Sequence, residues 1–275
     1  MSSVESVDRV TFTVETLFVR DGQKLGRLRS GEDGYYENFP MAALGVATRN
    51  NTYYDVSEFV DQITNPETYF NRMLADGTLY GEYGHPTIAG MDHAAQLNRL
   101  SVIAEDRVSH HFRRISTGNM LESGGRLITA DIKPSGPYGK YLQESLEEPH
   151  MNTAFSLRSI TMDRVERGLV RRKMRKLVTF DAVAAGGYAE ASKRFLQSNG
   201  ATESLEIRVD PNTDLACFNE IALESFAESE LADIFGTKNV EMHRKNMTVL
   251  KGTGLVQIEG KDGLRSLYHE LVKGE

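Results

Sequence analysis

Apolar and polar positions change their period several times along this chain, and each change marks an element. Val10–Val19 (VTFTVETLFV) is rich in β-branched and aromatic residues, partly alternating, and reads as a strand. Gly26–Asn38 is Gly-rich and charged and reads as a loop. Val56–Ala75 carries apolar residues at helical spacing (Val56, Phe59, Val60, Ile63, then Phe70, Met73, Leu74). Asn65-Pro66 divides it, which predicts two short helices. Leu79–Pro86 runs into a turn, and Leu100–Ala104 and Arg107–Ile115 are strand-like. Glycines cluster over Ser116–Gly125, and Arg126–Ile132 returns as a strand, which predicts a hairpin. Lys133–Gly139 breaks the pattern and Lys140–Glu148 reads as a short helix. Asn152–Met162 is a strand, and Val170–Val183 contains another.

After Gly186-Gly187 the character shifts. Tyr188–Asn199 and Ala216–Phe235 have helical composition, with a short strand or extended link at Leu205–Asp210. The pattern as a whole predicts an α+β protein, with a main domain over residues 1–190 and a helical C-terminal extension over 191–275.

Composition narrows the class. With 40% hydrophobic and 26% charged residues among 275, a core can form. A net charge of −7 disfavours a general nucleic-acid binder. Cys217 is the single cysteine, so an intramolecular disulfide is excluded and a Cys-based metal site disfavoured. The N-terminal segment MSSVESVDRV lacks the basic and apolar regions of a signal peptide. Uncharged stretches such as Asn38–Thr48 fall short of the roughly 20 apolar residues a spanning helix needs. The expectation is a soluble, intracellular protein without a membrane partner.

Two cassettes carry candidate chemistry. In Ala154–Ser159 (AFSLRS), strand alternation turns Phe155 and Leu157 to one face and Ser156 and Arg158 to the other. A hydroxyl beside a cation suits acyl transfer: the Arg158 side chain or its backbone N–H would support the oxyanion, and one well-placed donor is worth roughly 3 kcal/mol. In Gly81–Pro86 (GEYGHP), His85 is stiffened by the following proline and follows a glycine that permits a sharp turn. Its imidazole titrates near neutral pH, as a general base for a serine should. The same residues also fit an amphipathic edge strand and an exposed turn histidine. A third group would orient the histidine. Asp181, an acid inside the apolar run Val178–Val183, is the first candidate, because an unpaired carboxylate there would be expensive. His110 is the alternative, and Asp92 and His93 are weaker ones.

Taken in order, these segments resemble the prohead (capsid maturation) proteases of tailed phages, which share a fold with the herpesvirus assemblins. The pattern comprises G-E-x-x-H-P at 81–86, R-V-S-H at 107–110, S-x-R at 156–158 and F-D-x-V at 180–183. The resemblance implies a closed or nearly closed β-barrel flanked by helices, forming a protease domain. It implies a serine endopeptidase that cleaves scaffold, core and capsid proteins inside the prohead as it assembles in the host cytoplasm. Ser156 would be the nucleophile and His85 the base. In the herpesvirus relatives the third member is a histidine on the strand after the nucleophile; here that strand offers Asp181. Such enzymes commonly cut after glutamate and process themselves, which marks Glu224 and Glu228 as candidate self-cleavage points in the C-terminal extension. No cofactor and no specific nucleic acid are implied, and assembly as a homo-oligomer is left open.

Two other classes compete. Glu82, His85, His93, His110 and His111 form a His-rich stretch that a metal hydrolase could use, without a recognised ligand spacing. A non-enzymatic capsid or scaffold component would also fit the helix-rich extension. The one basic run, Arg171–Lys176, reads as a solvated hairpin or strand end, or as a contact for an acidic scaffold or nucleic acid.

Overall fold

The structure is a computed structural model, and it describes residues 8–15, 28–48, 51–121, 124–148, 151, 153–183 and 204–252. Among the described residues it is a mixed α+β fold with two sheets.

The first sheet has five strands in the order β3 (Thr52–Tyr54), β8 (Leu169–Val183), β7 (Ala154–Glu166), β1 (Arg9–Glu15) and β9 (Ser204–Val209). The second has four, in the order β2 (Tyr36–Leu44), β6 (Arg126–Pro134), β5 (Val108–Met120) and β4 (Tyr80–Glu82). Neighbours pair antiparallel except β3 with β8. The closed barrel implied by the family resemblance is not formed among the described residues. The sheets meet at one corner, where β4 leaves its ladder with β5 and its continuation makes an isolated parallel bridge, Tyr83 to Ala182 of β8. One bridge is too short a seam to close a barrel.

Strand alternation divides the core. Phe155, Leu157, Leu177, Phe180 and Ala182 of the first sheet point towards the second and pack with Phe39, Phe112, Ile132 and the helices α1 (Val56–Thr64), α2 (Tyr69–Ala75) and α4 (Gly139–Glu147). Val10, Phe12, Val14 and Ile160 point the other way. They pack under α3 (His93–Ser101), α5 (Glu220–Glu224), α6 (Glu228–Phe235) and Val240 of α7 (Thr237–Gly252). The segment beyond residue 203 is thus joined to the sheet by β9 and to the core by these helices.

Several element boundaries differ from the sequence reading. The expected break at Asn65-Pro66 separates α1 from α2, with Asp55 and Thr68 capping their N-termini. Leu100–Ala104, expected as a strand, instead completes and follows α3, because Leu97 and Leu100 fall on its one buried face. The strand β2 lies at the end of what reads as a loop and beyond it; its register shifts opposite β6 blur the alternation. The helical reading of 216–235 resolves into α5 and α6, separated at Ser225. Tyr188–Asn199 lies outside the described residues.

Candidate active site

Ser156 stands directly across the β7–β8 ladder from Asp181, and Phe155 across from Ala182. Cross-strand partners share a face. Ser156, Arg158 and Asp181 therefore lie on the side turned away from Phe155 and Leu157, as the alternation of AFSLRS predicts. All three are fully buried.

The Arg158 guanidinium and the Asp181 carboxylate are paired side by side. Nε donates to Oδ2 at 2.9 Å, and Nη2 donates to Oδ1 and Oδ2 at 2.7 and 2.8 Å. Nη1 donates to the Val102 carbonyl at 2.9 Å, and Nη2 lies 3.1 Å from Glu82 Oε1. This bidentate geometry is the strong form of an ion pair. It also commits the guanidinium to its protein partners.

His85 arrives from the other side of β8. Beyond β4, Tyr83 bridges Ala182, and the Gly84 N–H donates to the Ala182 carbonyl at 2.7 Å. Gly84 has φ of +79°, a conformation glycine adopts without strain, and it turns the chain so that half-buried His85 and buried Pro86 follow. The point Asp181–Ala182 on β8 is thus flanked by Ser156 and Phe155 on one edge and by the histidine-bearing segment on the other.

Glu82 closes the arrangement. Its fully buried carboxylate accepts from Arg99 (Nη1 at 2.9 Å, and Nη2), from the Ala104 N–H at 2.9 Å and from Arg158, while its own N–H donates to Asp181 at 3.2 Å. Two carboxylates and two guanidiniums make a charge-balanced quartet, the condition under which buried charge is tolerated. Burial pulls Glu82 upward, but Arg99, Arg158 and the Ala104 N–H outweigh it and hold the carboxyl below its usual range. Burial pushes Asp181 up to about 6 against the pull of Arg158. The sequence reading included Glu82 in the G-E-x-x-H-P pattern and in the His-rich stretch without giving it a role of its own, and it passed over Arg99. The burial of Glu82 beside β8 follows from how the two sheets meet, so no local signal in the sequence marked it.

The other candidates fall elsewhere. His110 sits on β5 against Phe155 and Phe112, at 5.1 and 4.7 Å between ring centroids, with Nδ1 2.8 Å from Ser109 Oγ. It shares the side of Phe155, opposite Ser156. Its ring fills the space a side chain at Gly81 would need; a Cβ there would lie 2.3 Å from the imidazole and from the Phe180 carbonyl. Burial lowers His110 to about 3, so it is neutral. Asp92 caps α3, and His93 pairs with Asp214 at 2.7 Å. His111 lies between the Tyr35 hydroxyl and the Gly77 carbonyl. The His-rich stretch is therefore dispersed, and the described residues hold no group of three or more His, Cys, Asp or Glu that could hold a metal.

In the basic run, Arg172 and Lys176 are buried while Arg171 and Lys173 are exposed. Lys176 donates to the Ser225 carbonyl, lies 3.5 Å from Glu230 and is boxed by Tyr69 and Phe226. Glu224 and Glu228 are exposed, whereas Ser225 is buried. Glu224 and Ser225 also line a cavity of about 820 Å³ with Tyr69, Tyr80, Val102 and Lys176; neither Ser156 nor His85 lines it.

A sequence profile of the Peptidase S80 family matches residues 14–249. The capsid maturation protease of Pseudomonas phage phiKZ is 33% identical over 178 residues, which is 62% of this chain and 64% of that protein. The chain thus spans slightly under two thirds of that relative's length. The solved structure of the bacteriophage T4 capsid assembly protease aligns with a TM-score of 0.40 at 14% identity, over 65% of this chain and 99% of that one.

Proposed function

Since the chain belongs to the Peptidase S80 family, we propose that it is a serine endopeptidase of phage head maturation. Ser156 is its nucleophile and His85 its general base, and its substrates are scaffold, core and capsid proteins inside the prohead. The name of the phiKZ relative supports the setting. The observation that carries the assignment is the placement of Ser156 and the His85 segment on opposite edges of the same two residues of β8. In this reading His85 takes the hydroxyl proton as the oxygen attacks the scissile carbonyl, and returns it to the leaving amine.

The geometry supports a different division of labour among the remaining candidates. The Asp181 carboxylate is engaged by Arg158 and the Glu82 N–H. We assign it to holding Arg158 and the Glu82 segment, so that it acts on the site indirectly. Arg158 makes bonds to Asp181, Glu82 and Val102, so we assign it to bracing β7 next to the nucleophile. His110, on the Phe155 side, braces the β4–β5 corner through Gly81. Because Ser156 is buried, whatever covers it must move before a peptide can reach the hydroxyl. Self-processing after Glu224 or Glu228 belongs to the same reading, and would require the Lys176-held Ser225 segment to be released first.

The direct test is cleavage of phage scaffold and capsid proteins by the wild type, Ser156→Ala and His85→Ala. Loss of cleavage in both variants, with the fold retained, supports the assignment. Cleavage that survives Ser156→Ala overturns it.

A further inference from the structure

Resting on the Ser156–His85 reading, we infer that Glu82 is a positioning residue of that site, whose buried carboxylate sets the histidine-bearing segment against the nucleophile-bearing strand. The backbone alone provides little of that link. Apart from the Glu82 N–H, the described bonds between the Tyr80–Gly84 segment and β8 are the Tyr83–Ala182 bridge with its Gly84 N–H, and the Thr179 hydroxyl to the Tyr80 carbonyl at 2.6 Å. No continuous ladder forms there to hold a register.

Glu82 supplies the missing constraint from both of its ends. Its N–H donates to Asp181, the cross-strand partner of Ser156. Its carboxylate meets Arg158, two residues beyond Ser156 on the same face, and it lies three residues before His85. The same carboxylate accepts from Arg99 of α3 and from the Ala104 N–H. Three stretches of chain, β7, β8 and α3 with the residues that follow it, converge on this one residue. A carboxylate presents about four acceptor sites, while an amide presents one acceptor oxygen and two donors that would face guanidinium donors. Arg99, with its side chain 17% exposed, neutralises the second charge of the quartet from its rim.

The test uses the full chain and diisopropyl fluorophosphate, with adduct formation at Ser156 followed by intact mass and peptide mapping over a range of reagent concentrations. Glu82→Gln alone leaves an excess buried cation. The double variant E82Q/R99Q removes one charge of each sign and keeps the quartet neutral, so it is the fold-safe form. Its maximal labelling rate is expected to fall about 10–100-fold, as for an ångström-scale misplacement of reacting groups, with the half-saturating concentration unchanged and the melting temperature near that of the wild type. E82D keeps the charge and shortens its reach by one methylene, and is expected to give an intermediate maximal rate. If either folded variant labels at the wild-type maximal rate, Glu82 is not a positioning residue, although the Ser156 assignment survives. If the wild type is not labelled at Ser156, the serine assignment falls and the role of Glu82 falls with it.

Discussion

Arg158 and Asp181 are locked together by three hydrogen bonds of 2.7 to 2.9 Å, both fully buried, on the face of the sheet that carries Ser156. The nucleophile candidate therefore sits beside a rigid ionic brace. The consequences of cutting that brace differ from those of removing the hydroxyl or the imidazole.

Ser156→Ala and His85→Ala are expected to lower turnover by about three to six orders of magnitude while leaving thermal stability near the wild-type value. Steady-state cleavage of a capsid or scaffold substrate, read beside a melting curve, checks both halves of the statement.

Asp181→Asn should act first on stability. It leaves Arg158 buried with half of its counter-charge, at a cost of about 3–5 kcal/mol. Replacing both partners with apolar residues, Arg158→Met with Asp181→Leu, should cost less than the two single changes added together. A double-mutant cycle by denaturant unfolding measures this coupling. Additive losses would mean that the pair is not a unit.

Gly81→Ala should destabilise by about 3 kcal/mol, because the added Cβ would lie 2.3 Å from both the His110 ring and the Phe180 carbonyl, and a backbone carbonyl cannot swing aside. A wild-type melting temperature in this variant would contradict the packing described at the β4–β5 corner.

His110 should make the fold acid-sensitive. Burial lowers its folded pKa to about 3, against about 6.5 when unfolded. Between these values the unfolded chain binds the extra proton, so stability is full above about pH 6.5 and is lost as pH falls towards 3. Asp181, raised to about 6 by burial, works in the opposite direction between about pH 6 and 4. The contribution of His110 is isolated by comparison with His110→Phe. From pH 7 to pH 5 the wild type should lose up to about 2 kcal/mol more than the variant. Parallel stability profiles would show that His110 is not held neutral.

Self-processing after Glu224 or Glu228 predicts a shortened species on incubation of the wild type and none with Ser156→Ala, read by intact mass. Lys176 holds the Ser225 carbonyl, so trimming should be slow in the folded chain and faster under mild denaturant. Unchanged mass in both proteins under both conditions would remove the idea.

Much of this was written in local pattern. The alternation of AFSLRS put Ser156 and Arg158 on one face, and the β7–β8 pairing keeps it so because strand geometry has a period of two residues. Asn65-Pro66 ended α1, and the glycines before Arg126 turned β5 into β6, because proline and glycine restrict or free the backbone wherever they stand. Acidic Asp181 in an apolar run called for a partner, since a lone buried carboxylate is costly. The identity of that partner was not local. Arg158 is 23 residues away, and Glu82 and Arg99 join it from β4 and α3. Which cation neutralises which carboxylate depends on the register of one ladder and on how two sheets meet at a corner. Those are set by the packing of the whole core, and only the tertiary structure could decide them.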